Sequence, residues 1–174
     1  RHGIVPDMIT MGKPMGNGIP ISGLAAKEDV LAAFSDKLPY FNTFGGNPVS
    51  IAAAQAVLKY IKDENLQEHC KKAGAALLKA LKEVQERHPE SVGDVRGAGL
   101  FLGFEFVKND GNKTPDKDMA LNVIEMLRDE HILTSVIGHY GNILKLRPPM
   151  VFSENDIDWF ATSLDKCITK LENK

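Results

Sequence analysis

The chain has 174 residues, 43% of them hydrophobic and 25% charged, with 21 basic against 23 acidic side chains. That composition is ordinary for a globular protein and allows one sizeable core or two small ones. A net charge of -2 gives no basic excess for nucleic acid, and no apolar run approaches the ~20 residues needed to cross a membrane.

In chain order, residues 4–11 read as a short buried strand opening after Pro6. Residues 12–20 form a Gly/Pro loop, 21–26 a second short strand and 27–34 one or two helical turns. After the aromatic loop "KLPYFNTFGGNP", apolar positions from Val49 to Ile61 recur at three and four. That is a helix, with Asn47 as N-cap and Pro48 at its first position. A second helix spans about 65–88, with Leu66, Cys70, Ala73, Leu77, Leu81 and Val84 as its stripe and Pro89 as its stop. "LFLGFEFVK", 100–108, alternates and reads as a strand with Leu100, Leu102, Phe104 and Phe106 on one face. A turn-rich loop, a helix over 116–130 and strands at 132–137 and 142–147 follow. "SEND", 153–156, caps a last helix carrying Ile157, Phe160, Leu164, Ile168 and Leu171. The organisation is two-part: residues 1–60 as the end of a larger α/β unit, and 61–174 as a small α+β domain.

The opening "RHGIVPD" has no Met and leads almost at once into "DMITM", which we read as the interior of a longer protein. No secretory leader is visible. Both cysteines, Cys70 and Cys167, fall in amphipathic segments. Buried or half-buried thiols in a reducing, cytosolic setting are expected. The methionines Met8, Met11, Met119, Met126 and Met150 read as core filler. The five histidines, His2, His69, His88, His131 and His139, have no metal spacing, and His69 reads as structural.

Three stretches can carry chemistry. In "TMGKPMGNGIP", Lys13 sits among glycines after a short apolar run. Such a lysine is either a solvated loop charge or an imine-forming amine, because Gly12, Gly16 and Gly18 let the backbone approach a bound group. A Walker loop is excluded, since Pro14 follows the lysine where Ser or Thr is required. "GAGLFLG", 97–103, misses the dinucleotide spacing and precedes a strand, so Gly97 and Gly99 read as turn glycines. In "NTFGGNPVS", Thr43 precedes a helix start whose amides either are capped or bind an anion. A cofactor bearing an aldehyde and a phosphate, such as pyridoxal phosphate, would use Lys13 and this turn together. In "ILKLRPPM", Lys145 and Arg147 share a strand face. They suit a substrate carboxylate or phosphate, or else protect an edge.

Four stretches, "PDMITMGKPMGNGIPISGLAA", "YFNTFGGNPVSIAAAQAVL", "VGDVRGAGLFLGFEFVK" and "ILKLRPPMVF", follow one another in the order of class III pyridoxal-phosphate aminotransferases. The chain resembles the C-terminal portion of such an α/β fold-type-I transferase: the end of the large domain, a linking helix and the small domain. The resemblance implies transamination of an amine or ω-amino acid to a 2-oxo acid. It makes Lys13 the Schiff-base lysine and proton shuttle, and Thr43 a ligand to the cofactor phosphate of the neighbouring subunit in a homodimer. Arg96 is left with a structural role. The branch resembled includes alanine–glyoxylate aminotransferases and phospholyases that eliminate phosphate from phosphorylated amines.

Two departures qualify the resemblance. Lys145 stands where most family transaminases carry the arginine for the substrate carboxylate, and a lysine cannot grip a carboxylate bidentately. Arg147 lies just before Pro148. The aspartate for the pyridine nitrogen and the ring-stacking aromatic lie upstream of Lys13 in the family. The isolated chain is therefore expected to be nearly inactive, and a non-catalytic truncated domain stands as the reading from another class.

Overall fold

The computed structural model describes residues 3–173. Its chain forms two compact units, Arg1–Asn65 and Leu66–Lys174.

In the first unit, strands β1 (Met8–Met11) and β2 (Gly23–Ala26) pair antiparallel, from Met8–Ala26 to Met11–Gly23. A 3-10 turn, Lys13–Gly16, lies in the connection between them. Helix α1 (Glu28–Ser35) follows β2, and Lys27 at its start pairs with Asp7 at 2.6 Å. Helix α2 (Pro48–Asp63) starts as the sequence predicts: Asn47 accepts from the amides of Val49 and Ser50, and Pro48 occupies the first turn.

The buried-strand expectation for 4–11 is not met. Pairing begins only at Met8, and all four residues of β1 are exposed. A two-stranded ribbon has no third strand and no covering layer among the described residues of its unit. Met8, Ile9 and Met11 therefore keep 56%, 49% and 44% of their surface in water. Met150 is exposed too, so three of the five methionines read as core filler are not core; Met119 and Met126 do pack on it.

The second unit is a four-stranded antiparallel sheet in the order β3-β4-β6-β5. Its elements are α3 (Leu66–Arg87), β3 (Val92–Ala98), β4 (Phe101–Phe106), α4 (Lys117–Asp129), β5 (Ser135–Ile137), β6 (Ile143–Leu146) and α5 (Glu154–Glu172). One sheet face points inward through Val95, Leu102, Phe104, Phe106, Leu144 and Leu146. It meets the buried stripes of the three helices, among them Leu77, Leu81, Val123, Leu127, Leu164 and Ile168. Burying each such side chain is worth about 1.5–3 kcal/mol, which makes this layer the stable part of the chain. Ser153 and Asp156 form the expected capping box of α5, and Asp116 caps α4 through the Met119 amide.

Strand β3 is absent from the sequence reading, which took Gly97 and Gly99 for turn residues. Gly99, with φ of 54°, does make the turn into β4. Gly97 lies inside β3 opposite Leu102, with φ of 145°, and a Cβ there would meet the Phe101 carbonyl oxygen at 2.2 Å. Pairing with β4 makes this glycine-rich stretch a strand; its local propensity is poor. The turn also packs against α3, where a Cβ on Gly74 would lie 2.3 Å from the Gly99 backbone.

Both cysteines are free thiols, Cys167 buried and Cys70 half-buried, and desolvation raises the pKa of each. His69 Nε2 lies 3.0 Å from the Phe152 carbonyl, in keeping with a structural role. His2 lies outside the described residues.

Candidate active site

Lys13 stands at the end of β1, in the left-handed region with φ of 47°. A non-glycine residue held there stores about 1–3 kcal/mol of strain and is found preferentially at functional positions. Hydrogen bonds hold the loop: Met15 N–H donates to the Gly12 carbonyl at 3.2 Å, Asn17 to Pro14 at 3.0 Å and Ile19 to Gly16 at 3.1 Å. Gly16 is buried because its missing side chain leaves room for Ile21; a Cβ there would meet Ile21 Cγ2 at 2.9 Å. The loop is thus a built support for one amine. Lys13 makes no ion pair among the described residues.

Lys13 lines a cleft of about 1190 Å³ within the first unit, together with Thr10, Ser22, Tyr40, Asn42 and Ser50 among others. Asn42 accepts hydrogen bonds from the Phe44 and Gly45 amides at 3.1 and 3.0 Å, shaping the turn before α2.

Of the two readings of this turn, the structure favours the capped helix. The Asn47 carboxamide takes the Val49 and Ser50 amides at 3.1 and 3.2 Å, and Pro48 has no N–H, so α2 offers no free first-turn amide to an anion. The donors left here are hydroxyls and the Gly46 amide, which makes no hydrogen bond among the described residues. Thr43 does not line this cleft, although its neighbours Asn42 and Phe44 do; its hydroxyl is exposed and has no partner among the described residues.

Lys145 and Arg147 belong to the second unit. Leu144 and Leu146 are buried inward, so alternation turns Lys145 to the open face of the sheet, where it stands opposite Gly103. Arg147 follows two residues on, just past the end of β6. Neither side chain makes an ion pair or hydrogen bond among the described residues. Arg96, also on the open face, bonds Asp94 at 2.7 Å and Glu105 at 2.6 Å. The Glu105 and Asp94 carboxylates hold its pKa above the ordinary value, so its charge is neutralised locally and its role is structural.

Sequence reasoning missed two features here. One is Phe101, whose ring centroid lies 5.9 Å from the Arg147 guanidinium carbon. It stands out of phase with the inward residues of β4, but only the β4–β6 register brings it to Arg147. The other is His88, buried at the end of α3 between Glu172 (2.7 Å) and Asp165 (3.1 Å). Among the described residues no cluster of His, Cys, Asp and Glu could hold a metal, and no helix is long and apolar enough to cross a membrane.

Residues 1–168 match the family described as Aminotransferase class-III, and the chain belongs to that family. It is 45% identical over 168 residues to ethanolamine-phosphate phospho-lyase homolog 1 of Caenorhabditis elegans, covering 96% of this chain and 36% of that one. It is 36% identical to the mitochondrial alanine–glyoxylate aminotransferase 2 homolog 2 of Arabidopsis thaliana, covering 98% and 35%. Among solved structures, a phospholyase from Arthrobacter in complex with phosphoethanolamine superposes with a TM-score of 0.92 at 38% identity, covering 96% of this chain and 39% of that one. A Bacillus anthracis aminotransferase gives 0.88 at 34%, covering 97% and 40%. The chain thus spans little more than a third of the curated relatives it matches. Its α/β fold is that of part of a pyridoxal-phosphate-dependent transferase, the extent expected of a C-terminal portion.

The family's cofactor is pyridoxal 5'-phosphate, and the residues present fit it at its aldehyde end. Lys13, a primary amine without an acidic partner among the described residues, lines an open cleft together with the hydroxyl-bearing Thr10, Ser22 and Ser50.

Proposed function

We propose that the full-length protein carrying this chain is a pyridoxal-phosphate-dependent lyase that eliminates phosphate from a phosphorylated amine. The observation that carries this reading is the pair Lys145 and Arg147, two cations on the open sheet face without an acidic partner among the described residues. A point charge beside a forked guanidinium suits a phosphate dianion better than a lone carboxylate. The 45% identity to a phospho-lyase homolog and the fold match to a phosphoethanolamine-bound phospholyase support the same reading.

When bound, the cofactor supplies an electron sink for the carbon bearing the amine. The chain's own residues have separable tasks. Lys13 holds the aldehyde end of the cofactor and carries the substrate proton on Nζ. Lys145 and Arg147 hold the oxyanion. Thr43 serves the cofactor phosphate of a neighbouring subunit in a homodimer, the role that the family resemblance implies. With phosphoethanolamine the balance is one C–H and one C–O bond broken, inorganic phosphate released, and acetaldehyde and ammonia formed after addition of water.

A second reading, transamination of an amine or ω-amino acid to a 2-oxo acid, is supported by the alanine–glyoxylate aminotransferase relatives, at 36% and 39% identity. The deciding assay supplies the full-length holoenzyme with phosphoethanolamine alone, then with alanine and glyoxylate. Phosphate release without an acceptor supports the lyase; amino transfer without phosphate release establishes the second reading. Lys13→Ala should lower either activity about 100- to 10,000-fold, the usual loss on removing a general acid–base. The two free thiols accord with a cytosolic, reducing location for the whole protein.

A further inference from the structure

We propose that Phe101 is a positioning residue: its ring fixes the Arg147 guanidinium so that this arginine meets the substrate oxyanion already ordered. The inference rests on the reading of Arg147 as a substrate-binding cation and extends it to a residue that has no charge.

The register explains how the two meet. Leu102 pairs with Leu146 across β4 and β6, and both are buried. One residue beyond that pair lie Phe101, the first residue of β4, and Arg147, just past the end of β6, and the two meet on the opposite, open side. The guanidinium carbon lies 5.9 Å from the ring centroid, within cation–π range. On its other side Phe101 pairs with Ala98 of β3, a side chain too small to cover the ring, and Phe101 stays 60% exposed.

The other arginines supply the contrast. Arg87, Arg96 and Arg128 each bond a carboxylate within 2.7 Å. Among the described arginines, Arg147 alone has no acidic partner and rests on an aromatic face instead. Its five N–H donors therefore remain available to an oxyanion. A carboxylate in place of the ring would orient Arg147 equally well but would neutralise it and occupy its donors.

The test uses the full-length holoenzyme with Phe101→Leu, Phe101→Tyr and Arg147→Gln. Inorganic phosphate and acetate serve as probes, with Kd read by calorimetry beside KM and kcat. Phe101→Leu should weaken whichever oxyanion the enzyme binds by about three- to ten-fold, with kcat unchanged, the size expected for losing a surface cation–π contact and the pre-ordering it gives. Phe101→Tyr keeps a π face and should restore wild-type binding. Arg147→Gln should weaken binding by roughly ten-fold or more, and adding Phe101→Leu to it should change nothing further. A response to phosphate alone identifies the group as a phosphate, and a response to acetate as a carboxylate. If Arg147→Gln weakens binding and Phe101→Leu does not, the positioning role is overturned while the reading of Arg147 stands. If Arg147→Gln has no effect, or if neither probe binds the wild-type enzyme, both fall.

Discussion

The two units of this chain solve different problems. In Leu66–Lys174, a sheet face and three helices enclose a set of side chains that are almost wholly dry; Phe104, Phe106, Leu81, Leu127 and Leu144 show no exposed surface. In Arg1–Asn65, Gly16 is the one buried residue among those described, while Phe41, Phe44 and Tyr40 stay 87%, 83% and 75% exposed. The residue with the strongest claim to chemistry, Lys13, belongs to the open unit. Packing is concentrated in the second unit of this chain, which spans little more than a third of its curated relatives, and Lys13 sits on a strained loop that local hydrogen bonds maintain.

Mutations can break or sharpen that contrast. The largest effect should come from Phe104→Ala, which leaves a cavity at the centre of the second unit and should cost about 3–5 kcal/mol. Urea unfolding followed by Trp159, the single tryptophan and a residue of α5, would read it. A loss under about 1 kcal/mol would mean that the enclosed core is not what holds this unit together.

Next comes Gly74→Ala, where the added Cβ would lie 2.3 Å from the Gly99 backbone. A loss of about 1–3 kcal/mol is expected from overpacking, and an unchanged urea midpoint would contradict the close approach of α3 to the β3–β4 turn.

The third concerns acid. Burial pushes the Asp165 carboxyl up, but hydrogen bonds from Arg87 and His88 outweigh it, so its pKa stands below the usual carboxylate range. A depressed pKa in the folded state means that the unfolded chain binds the proton more readily. The stabilisation is therefore complete above the unfolded carboxylate pKa of about 3.9 and fades as pH falls through the lower folded value. Asp165→Asn should flatten that acid limb of a stability–pH curve, and it should also weaken the protein at pH 7, because it removes the charged partner of Arg87 and His88. An unaltered acid limb would remove Asp165 from the account.

Smaller still, Asn47→Ala should cost about 1 kcal/mol through loss of the cap of α2. The effect should appear as faster amide exchange in the first turn of that helix rather than in the Trp159 signal. Phe41→Ala should stay within about 0.5 kcal/mol, as for an exposed side chain outside any core. A larger loss at Phe41 would show that the first unit has packing of its own.

Much of the fold was legible because it is local. Periodicity located α2, α3, α4 and α5 closely, Asn47 and Ser153 announced their helix starts, and alternation fixed the inward face of β4. Strand β3 was not legible: Gly93, Gly97 and the bulge between Val92 and Asp94 obscure it, and only pairing with β4 defines it. The site divides in the same way. Lys13 could be singled out from its glycine setting and the order of motifs, and the face shared by Lys145 and Arg147 followed from alternation.

The sequence by itself determined the family and, β3 apart, the order of helices and strands, and it singled out Lys13 as a candidate, because capping, periodicity and motif order act over a few neighbouring residues. Tertiary structure decided the rest. It placed Lys13 in a left-handed turn at the edge of a cleft, closed the amides of α2 with Asn47, gave Arg96 to two carboxylates and set Phe101 beneath Arg147. Each of these depends on which atoms meet across strands and turns, and a register or a φ angle is fixed only when the partner segment is in place.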